Sequence, residues 1–322
     1  MTITYIKTLV HKDLNRVNKL ILSKLHSKIK LINNLTNYII KNGGKRLRPL
    51  LVLLSSHSCG YKGLNHIKLA AMIEFFHTAT LLHDDVIDES SLRRGHETAN
   101  QIWGSKASIL VGDYLFTQTI QIMVDVNHPK ILKLLSDTSY QISCGEIKQL
   151  TNQYNISLSI TEYFDIIKKK TALLFATSAA IGAFISNSRK KIIKNLYNYG
   201  LHLGNAFQLI DDALDYSLET EIAGKNIGKD FLHGKITFPL LYALKFGTKK
   251  QKKVICQNIK ERNLKNFNKI LIIIKKTKAI EATKKYAKTE ILRAISYLKY
   301  VPESIYKNAL KKLAYFSLNR NY

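Results

Sequence analysis

Four prolines (Pro49, Pro129, Pro239 and Pro302) and 15 glycines are the only strong helix breakers in 322 residues. A chain this poor in both can stay helical over long stretches. No run of short alternating strands appears, and no repeat of solenoid period. The sequence therefore predicts a single all-α domain over residues 1–322. Helical periodicity predicts helices over about 14–41, 66–88, 107–125, 130–153, 161–185 and 189–218. Leu69, Met72, Ile73, Phe76 and Thr80 mark the buried face of the second of these, and Phe116, Ile120, Met123 and Val124 one side of the third. Breaks fall at Asn42-Gly43-Gly44, at 60–65, in a loop at 90–95 and at 221–234, after which helical patterns run from about Phe238 to the end.

Two aspartate clusters of one shape stand out against this background: Asp84-Asp85-Val86-Ile87-Asp88 and Asp211-Asp212-Ala213-Leu214-Asp215. On a helix, positions i and i+4 lie one turn apart and i+1 flanks them. Three like charges at that spacing repel and destabilise the helix unless a cation sits among them. Carboxylate-only ligation, with no Cys or His cluster nearby, points to Mg²⁺ completed by water and substrate phosphate. Two ions on two clusters imply a polyanionic ligand such as a diphosphate.

Basic residues gather where such a ligand needs them. Arg93 and Arg94 follow the first cluster, and Lys45 and Arg48 open a helix behind two glycines, where backbone N–H groups can also meet phosphate. Lys225 and Lys235 follow the second cluster, and Lys168-Lys169-Lys170-Thr171 offers a further site. His77, two turns before the first cluster, reads on its own as an ordinary core histidine.

The formal charge of +27 suggests nucleic acid as a partner. The basic stretches, however, punctuate amphipathic helical patterns and accompany no nucleic-acid-binding motif, so they read as solvated helix faces, and no nucleic-acid partner is expected. Cys59, Cys144 and Cys256 are odd in number, far apart and without a CxxC, which fits a reduced compartment. With no signal-peptide pattern and no run of about 18 apolar residues, a cytoplasmic protein is expected.

Gly43-Gly44-Lys45-Arg46-Leu47-Arg48-Pro49, His77-Thr78-Ala79-Thr80-Leu81-Leu82-His83-Asp84-Asp85, Arg93-Arg94-Gly95 and Gln208-Leu209-Ile210-Asp211-Asp212 occur in that order. Gly112-Asp113-Tyr114, Gly145-Glu146, Gly224-Lys225-Asn226 and Gly234-Lys235-Ile236-Thr237 extend the pattern over nearly the whole chain. This resembles the trans-isoprenyl diphosphate synthases (polyprenyl synthetases). The resemblance implies an isoprenoid-synthase-type helical bundle around a deep central cavity, normally a homodimer. It implies Mg²⁺ held by Asp84 and Asp88, with Asp85 nearby, and by Asp211 and Asp215, with Asp212 completing the second catalytic cluster. Lys45, Arg48, His77 and Arg94 match the isopentenyl diphosphate site. Arg93, Lys170, Thr171, Gln208, Lys225 and Lys235 match the allylic diphosphate site. The implied chemistry is ionisation of the allylic diphosphate, attack by the isopentenyl double bond, and loss of a proton to the released diphosphate.

The implied product is long, about eight isoprene units, of the kind that furnishes a quinone side chain. Ala79 leaves open the position where a bulky aromatic stops growth in short-chain members, and Phe76, Thr80 and Met123 line the tunnel below it. Phe76 is bulkier than a long-chain enzyme leads one to expect, which favours a geranylgeranyl-length product as the alternative. Lys229 replaces one of two acidic residues usual in the family. A terpene cyclase is disfavoured by the glycine-rich basic motif and the second aspartate cluster, and a non-catalytic subunit of a heteromeric synthase by the intact clusters. Such a product also implies transient contact with a membrane surface.

Overall fold

The computed structural model describes residues 3–217, 228–261 and 266–318, which are almost wholly helical. The exception among the described residues is a small antiparallel ribbon, Leu92–Arg93 with His96–Glu97, paired Leu92 to Glu97 and Arg93 to His96. The sequence predicted only a loop there, because two residues per strand are too few to show alternation. Arg94 (φ +56°) and Gly95 (φ +80°) both turn in the left-handed region, as a two-residue hairpin turn of the primed kind requires.

The chain divides into two compact units. The first comprises residues 1–135, 177–197 and 300–312. Its central element is the helix Asn65–Ile87, which packs against the helices His11–Leu25, Leu47–Ser58 and Ser105–Val126. Leu69, Ala70, Ala71, Met72 and Ile73 are fully buried, so this stretch is apolar all round and not merely along one face. At roughly 1.5–3 kcal/mol for each large apolar side chain buried, that run anchors the helix firmly. Gly112 lets Ser105–Val126 come close: a Cβ there would lie 2.3 Å from His83 Nε2. The central helix ends at Asp88, whose N–H is bonded to the Asp84 carbonyl at 2.8 Å, and Glu89 (φ +47°) turns the chain away.

The second unit comprises residues 136–176, 198–299 and 313–322. Here a capping box opens the helix Ile160–Ile167. The Ser159 hydroxyl accepts the Glu162 N–H, and the Glu162 carboxylate accepts the Ser159 N–H. The sequence predicted an unbroken helix to 185, but a π-helical turn, Lys168–Ala172, intervenes before Leu173–Ile185. Two glycines bring neighbours onto this turn. A Cβ on Gly204 would lie 2.5 Å from Ala172 Cα, and one on Gly145 would lie 2.6 Å from Lys169 Cβ. The helix Phe238–Phe246 packs against Ile160–Ile167 and Ala279–Tyr297.

Ser105–Val126 is the one described helix long and apolar enough to cross a membrane. Val111, Gly112, Leu115 and Ile122 are buried on one side of it, while Ile109, Leu110, Ile120 and Val124 are exposed on the other.

Candidate active site

The first aspartate cluster sits at the C-terminal end of the central helix of the first unit. Carbonyl oxygens concentrate negative charge at that end, so each further carboxylate there costs about 0.3–1 kcal/mol. The three aspartates are not equivalent. Asp85 is 4% exposed and is clasped by Arg93, whose Nε lies 2.9 Å from both carboxylate oxygens and whose Nη2 lies 2.7 Å from Oδ1. Asp84 and Asp88 are half-buried. The middle residue is thus anchored inward and the outer two lie toward the surface.

The cations predicted for one diphosphate gather in the same unit. Arg48, in the first turn of Leu47–Ser58, places Nη1 2.9 Å from His77 Nε2. A guanidinium can only donate, so Nε2 accepts and the imidazole proton is on Nδ1. Burial, then Arg48, Arg94, Arg93 and Arg46, hold the His77 pKa well below its usual value, so the ring is neutral. Arg94 Nη1 donates to the Asn42 carbonyl at 3.3 Å, and its guanidinium fills the place where a Cβ on Gly44 would be. That contact, and not a positive φ, explains the second glycine of the motif. Burial and the neighbouring Arg93 and Arg46 hold Arg94 below its ordinary pKa, the signature of cations crowded together. Lys45 is exposed in the loop before the helix. A cavity beside the ribbon is lined by Asn42, Thr78, Asp85, Arg93 and Arg94 among others.

Of the predicted tunnel residues, Phe76 and Ala79 are each 2% exposed, while Thr80 and Met123 are half-buried. The Phe76 ring meets Phe116 at a centroid separation of 5.8 Å.

The second cluster likewise falls at the end of a long helix, Lys190–Leu214, and again the middle aspartate is the buried one. Asp212 is 1% exposed. Its Oδ1 accepts from Gln208 Nε2 at 2.8 Å, and its Oδ2 accepts from the Tyr163 hydroxyl and, at 3.5 Å, from the Phe238 N–H. Burial, followed by the Asp230 charge, lifts its pKa to about 7. Burial and Asp212 push Tyr163 well above its ordinary value, so the phenol keeps its proton and donates it. Asp211 and Asp215 are half-buried, and Asp215 Oδ2 accepts from the Asp230 N–H at 3.3 Å.

The π-turn carries the predicted anion-binding pair into this neighbourhood. Lys170 Nζ reaches Glu146 and, at 2.9 Å, Gln149, and the Thr171 hydroxyl donates to Gln208 Oε1 at 2.8 Å. One cavity of the second unit is lined by Tyr163, Lys170, Thr171, Gln208, Asp212, Asp230 and Lys235 together with Gln149 and apolar neighbours. Lys225, with Gly224 and Asn226, lies outside the described residues. Lys229 opens the short helix Lys229–Leu232. Tyr163, Glu146, Gln149 and Asp230 thus join the site although sequence reasoning gave none of them a role. Glu146 was visible only inside a motif, and Tyr163 had no signal beyond its place in an apolar helical pattern.

Both clusters fit a divalent cation by their donor chemistry: paired outer carboxylates one turn apart, a middle carboxylate already engaged, and cations nearby to take an anion's remaining charge. The Tyr163 contact can be tested alone. Tyr163→Phe should cost about 1–3 kcal/mol of stability by leaving a buried carboxylate short of a donor. Asp212 with a raised pKa is protonated at low pH, so this loss should grow as pH rises through about 7. Thermal unfolding at pH 6 and pH 8 checks both; equal melting of mutant and wild type at pH 8 would remove the contact from the account.

Residues 29–275 match the family model for polyprenyl synthetase. Over its full length the chain is 41% identical to the octaprenyl diphosphate synthase of Haemophilus influenzae, covering 98% of that protein. Among solved structures, a polyprenyl synthase from Caulobacter crescentus complexed with calcium and isoprenyl diphosphate matches with TM-score 0.94 and 39% identity, covering 99% of this chain and 98% of that one. A decaprenyl diphosphate synthase from Rhodobacter capsulatus matches equally well, with TM-score 0.94, 34% identity and 98% of both chains covered. The repeated aspartate clusters, the glycine-rich basic motif and full-length similarity in both sequence and fold lead to one conclusion: this chain belongs to the polyprenyl synthetase family.

Proposed function

We propose that the protein is a long-chain all-trans polyprenyl diphosphate synthase, with an octaprenyl product, that adds isopentenyl diphosphate units to an allylic primer such as farnesyl diphosphate. The observation that carries this reading is the twofold arrangement in which each cluster buries its middle aspartate and keeps the outer pair, Asp84 with Asp88 and Asp211 with Asp215, half-buried. On this reading residues 1–322 act as one catalytic domain.

The cation is Mg²⁺, which when bound neutralises the allylic diphosphate and makes it a leaving group. Asp84 with Asp88 would hold it at the first cluster, and Asp211 with Asp215 at the second. Asp85 and Asp212 act as positioning residues, fixed by Arg93 and by Tyr163 with Gln208. Lys170, Thr171, Gln208, Lys235 and Lys225 bind the allylic diphosphate, and Arg93 adds its charge while retaining Asp85. Lys45, Arg48, Arg94 and neutral His77 bind the isopentenyl diphosphate.

The division of labour is chemical. One diphosphate must depart, so it is held through metal, while the other must stay attached, so it is held by side chains alone. Breaking the allylic C–O bond leaves an allylic cation. The isopentenyl double bond attacks it, and a proton passes to the departed diphosphate. No side-chain base is required.

The growing chain occupies a tunnel past Ala79 and Thr80, with Phe76 and Met123 deeper. The exposed stripe Ile109, Leu110, Ile120 and Val124 supports a homodimer, since a second copy would cover it. Sedimentation at micromolar concentration should give twice the chain mass, and a stable monomer would exclude that assignment. The setting is cytoplasmic, with product release at a membrane surface.

The direct test is incubation with Mg²⁺, farnesyl diphosphate and labelled isopentenyl diphosphate, with products resolved by length after dephosphorylation. A magnesium-dependent ladder ending near eight units is expected, and Ala79→Tyr should shorten it. A wild-type ladder stopping at geranylgeranyl would make Phe76 the floor and overturn the octaprenyl assignment. An unchanged ladder in Ala79→Tyr would refute the tunnel.

A further inference from the structure

Three residues of the first unit, far from the reaction, converge without a role in it. Asp13 lies in the first turn of the helix His11–Leu25, His57 in the last turn of Leu47–Ser58, and His66 in the first turn of Asn65–Ile87. Asp13 Oδ2 lies 2.7 Å from His57 Nε2 and 3.2 Å from His66 Nε2, and the three ligand atoms all fall within 4.8 Å of one another. We propose that Asp13, His57 and His66 form a Zn²⁺ site that ties these three helix ends together. It shares no residue with either aspartate cluster and begins about 27 Å along the central helix from Asp84, at about 1.5 Å per residue.

The donor set points to zinc and away from magnesium. Two imidazoles and one carboxylate suit Zn²⁺ and its first-row neighbours, whereas Mg²⁺ prefers oxygen throughout. Zinc bonds of about 2.0–2.1 Å in a tetrahedron put ligand atoms about 3.3 Å apart. The observed 2.7 and 3.2 Å from Asp13 to the two rings lie close to that separation, and the three atoms fall within 4.8 Å of one another. Side-chain exposures of 14% for Asp13, 21% for His57 and 4% for His66 leave the His57 side open for a water as fourth ligand.

The rings are also held in place. Tyr306 stacks on His57 at 4.7 Å and Tyr61 packs edge-on against His66 at 5.5 Å. Ligands fixed this way lose little freedom when an ion binds.

Without an ion the same three groups form a hydrogen-bonded cluster in which Asp13 accepts from both rings. With Nε2 of each histidine on zinc, the ring proton would sit on Nδ1, as is usual for a metal-bound histidine.

The test is Zn²⁺ binding to the metal-free full-length chain, measured by competition with a chromophoric chelator, with Co²⁺ as a spectroscopic probe. One Zn²⁺ per chain is expected, together with a strong visible Co²⁺ band and a zinc-dependent rise in melting temperature. Asp13→Asn keeps a hydrogen-bond acceptor and should weaken Zn²⁺ binding about 100-fold or more, as should His57→Gln. Asp84→Ala should bind Zn²⁺ as wild type does. Circular dichroism checks that each variant folds; if His57→Gln does not, Asp13→Asn decides. Absence of stoichiometric binding, binding unchanged in Asp13→Asn, or binding lost in Asp84→Ala would each overturn the proposal.

Discussion

Carboxylates at the wrong end of a helix are the constraint on which this structure depends. Both aspartate clusters occupy helix C-termini, where the backbone already presents negative charge, and both stack like charges one turn apart. Long apolar helices can carry that cost. The central helix of the first unit does so through the fully buried run from Leu69 to Ile73, which fixes the element whatever its last turn prefers. Stability is generated in one part of the helix and given up in another, where a cation can recover it.

Each cluster reduces its own repulsion by retiring the middle aspartate, but the two use different means. Asp85 is neutralised by a full charge, the Arg93 guanidinium. Among the described residues the donors to Asp212 are neutral, Tyr163, Gln208 and the Phe238 N–H, and burial with the nearby Asp230 charge lifts it to about 7. The first solution sets the Arg93 guanidinium against the cluster, beside Arg94. The second chains Thr171 to Gln208 to Asp212, so the π-turn and the cluster helix share one hydrogen-bonded line. A π-turn suits this role because it displaces Lys170 and Thr171 from regular helical register.

Much of this was legible from residue order alone. Scarce breakers gave the helices, and the aspartate spacing gave the clusters and their likeness to a known family. The two-residue ribbon was not legible, since nothing so short shows a period; residues 90–95 read only as a loop. The inequality of Asp84, Asp85 and Asp88 was legible in part. Position i+1 leaves the i, i+4 line, but whether it turns inward depends on Arg93 eight residues on. Tyr163 could not be found at all, because its partner Asp212 lies 49 residues away and apolar periodicity already explained it. The convergence of Asp13, His57 and His66 was hidden for the same reason: its members sit 44 and 53 residues apart.

On the proposed function, the outer aspartates are kept for a cation at the expense of the helix ends that bear them. Thermal unfolding of Asp84→Ala and Asp211→Ala, with and without Mg²⁺ and inorganic diphosphate, tests it most directly when read beside turnover. Metal-free melting at or above that of wild type is expected, with no further rise on adding magnesium and diphosphate and turnover lower by about a thousandfold or more. Melting several degrees below wild type without metal, with ligand stabilisation intact, would contradict it and make the clusters structural.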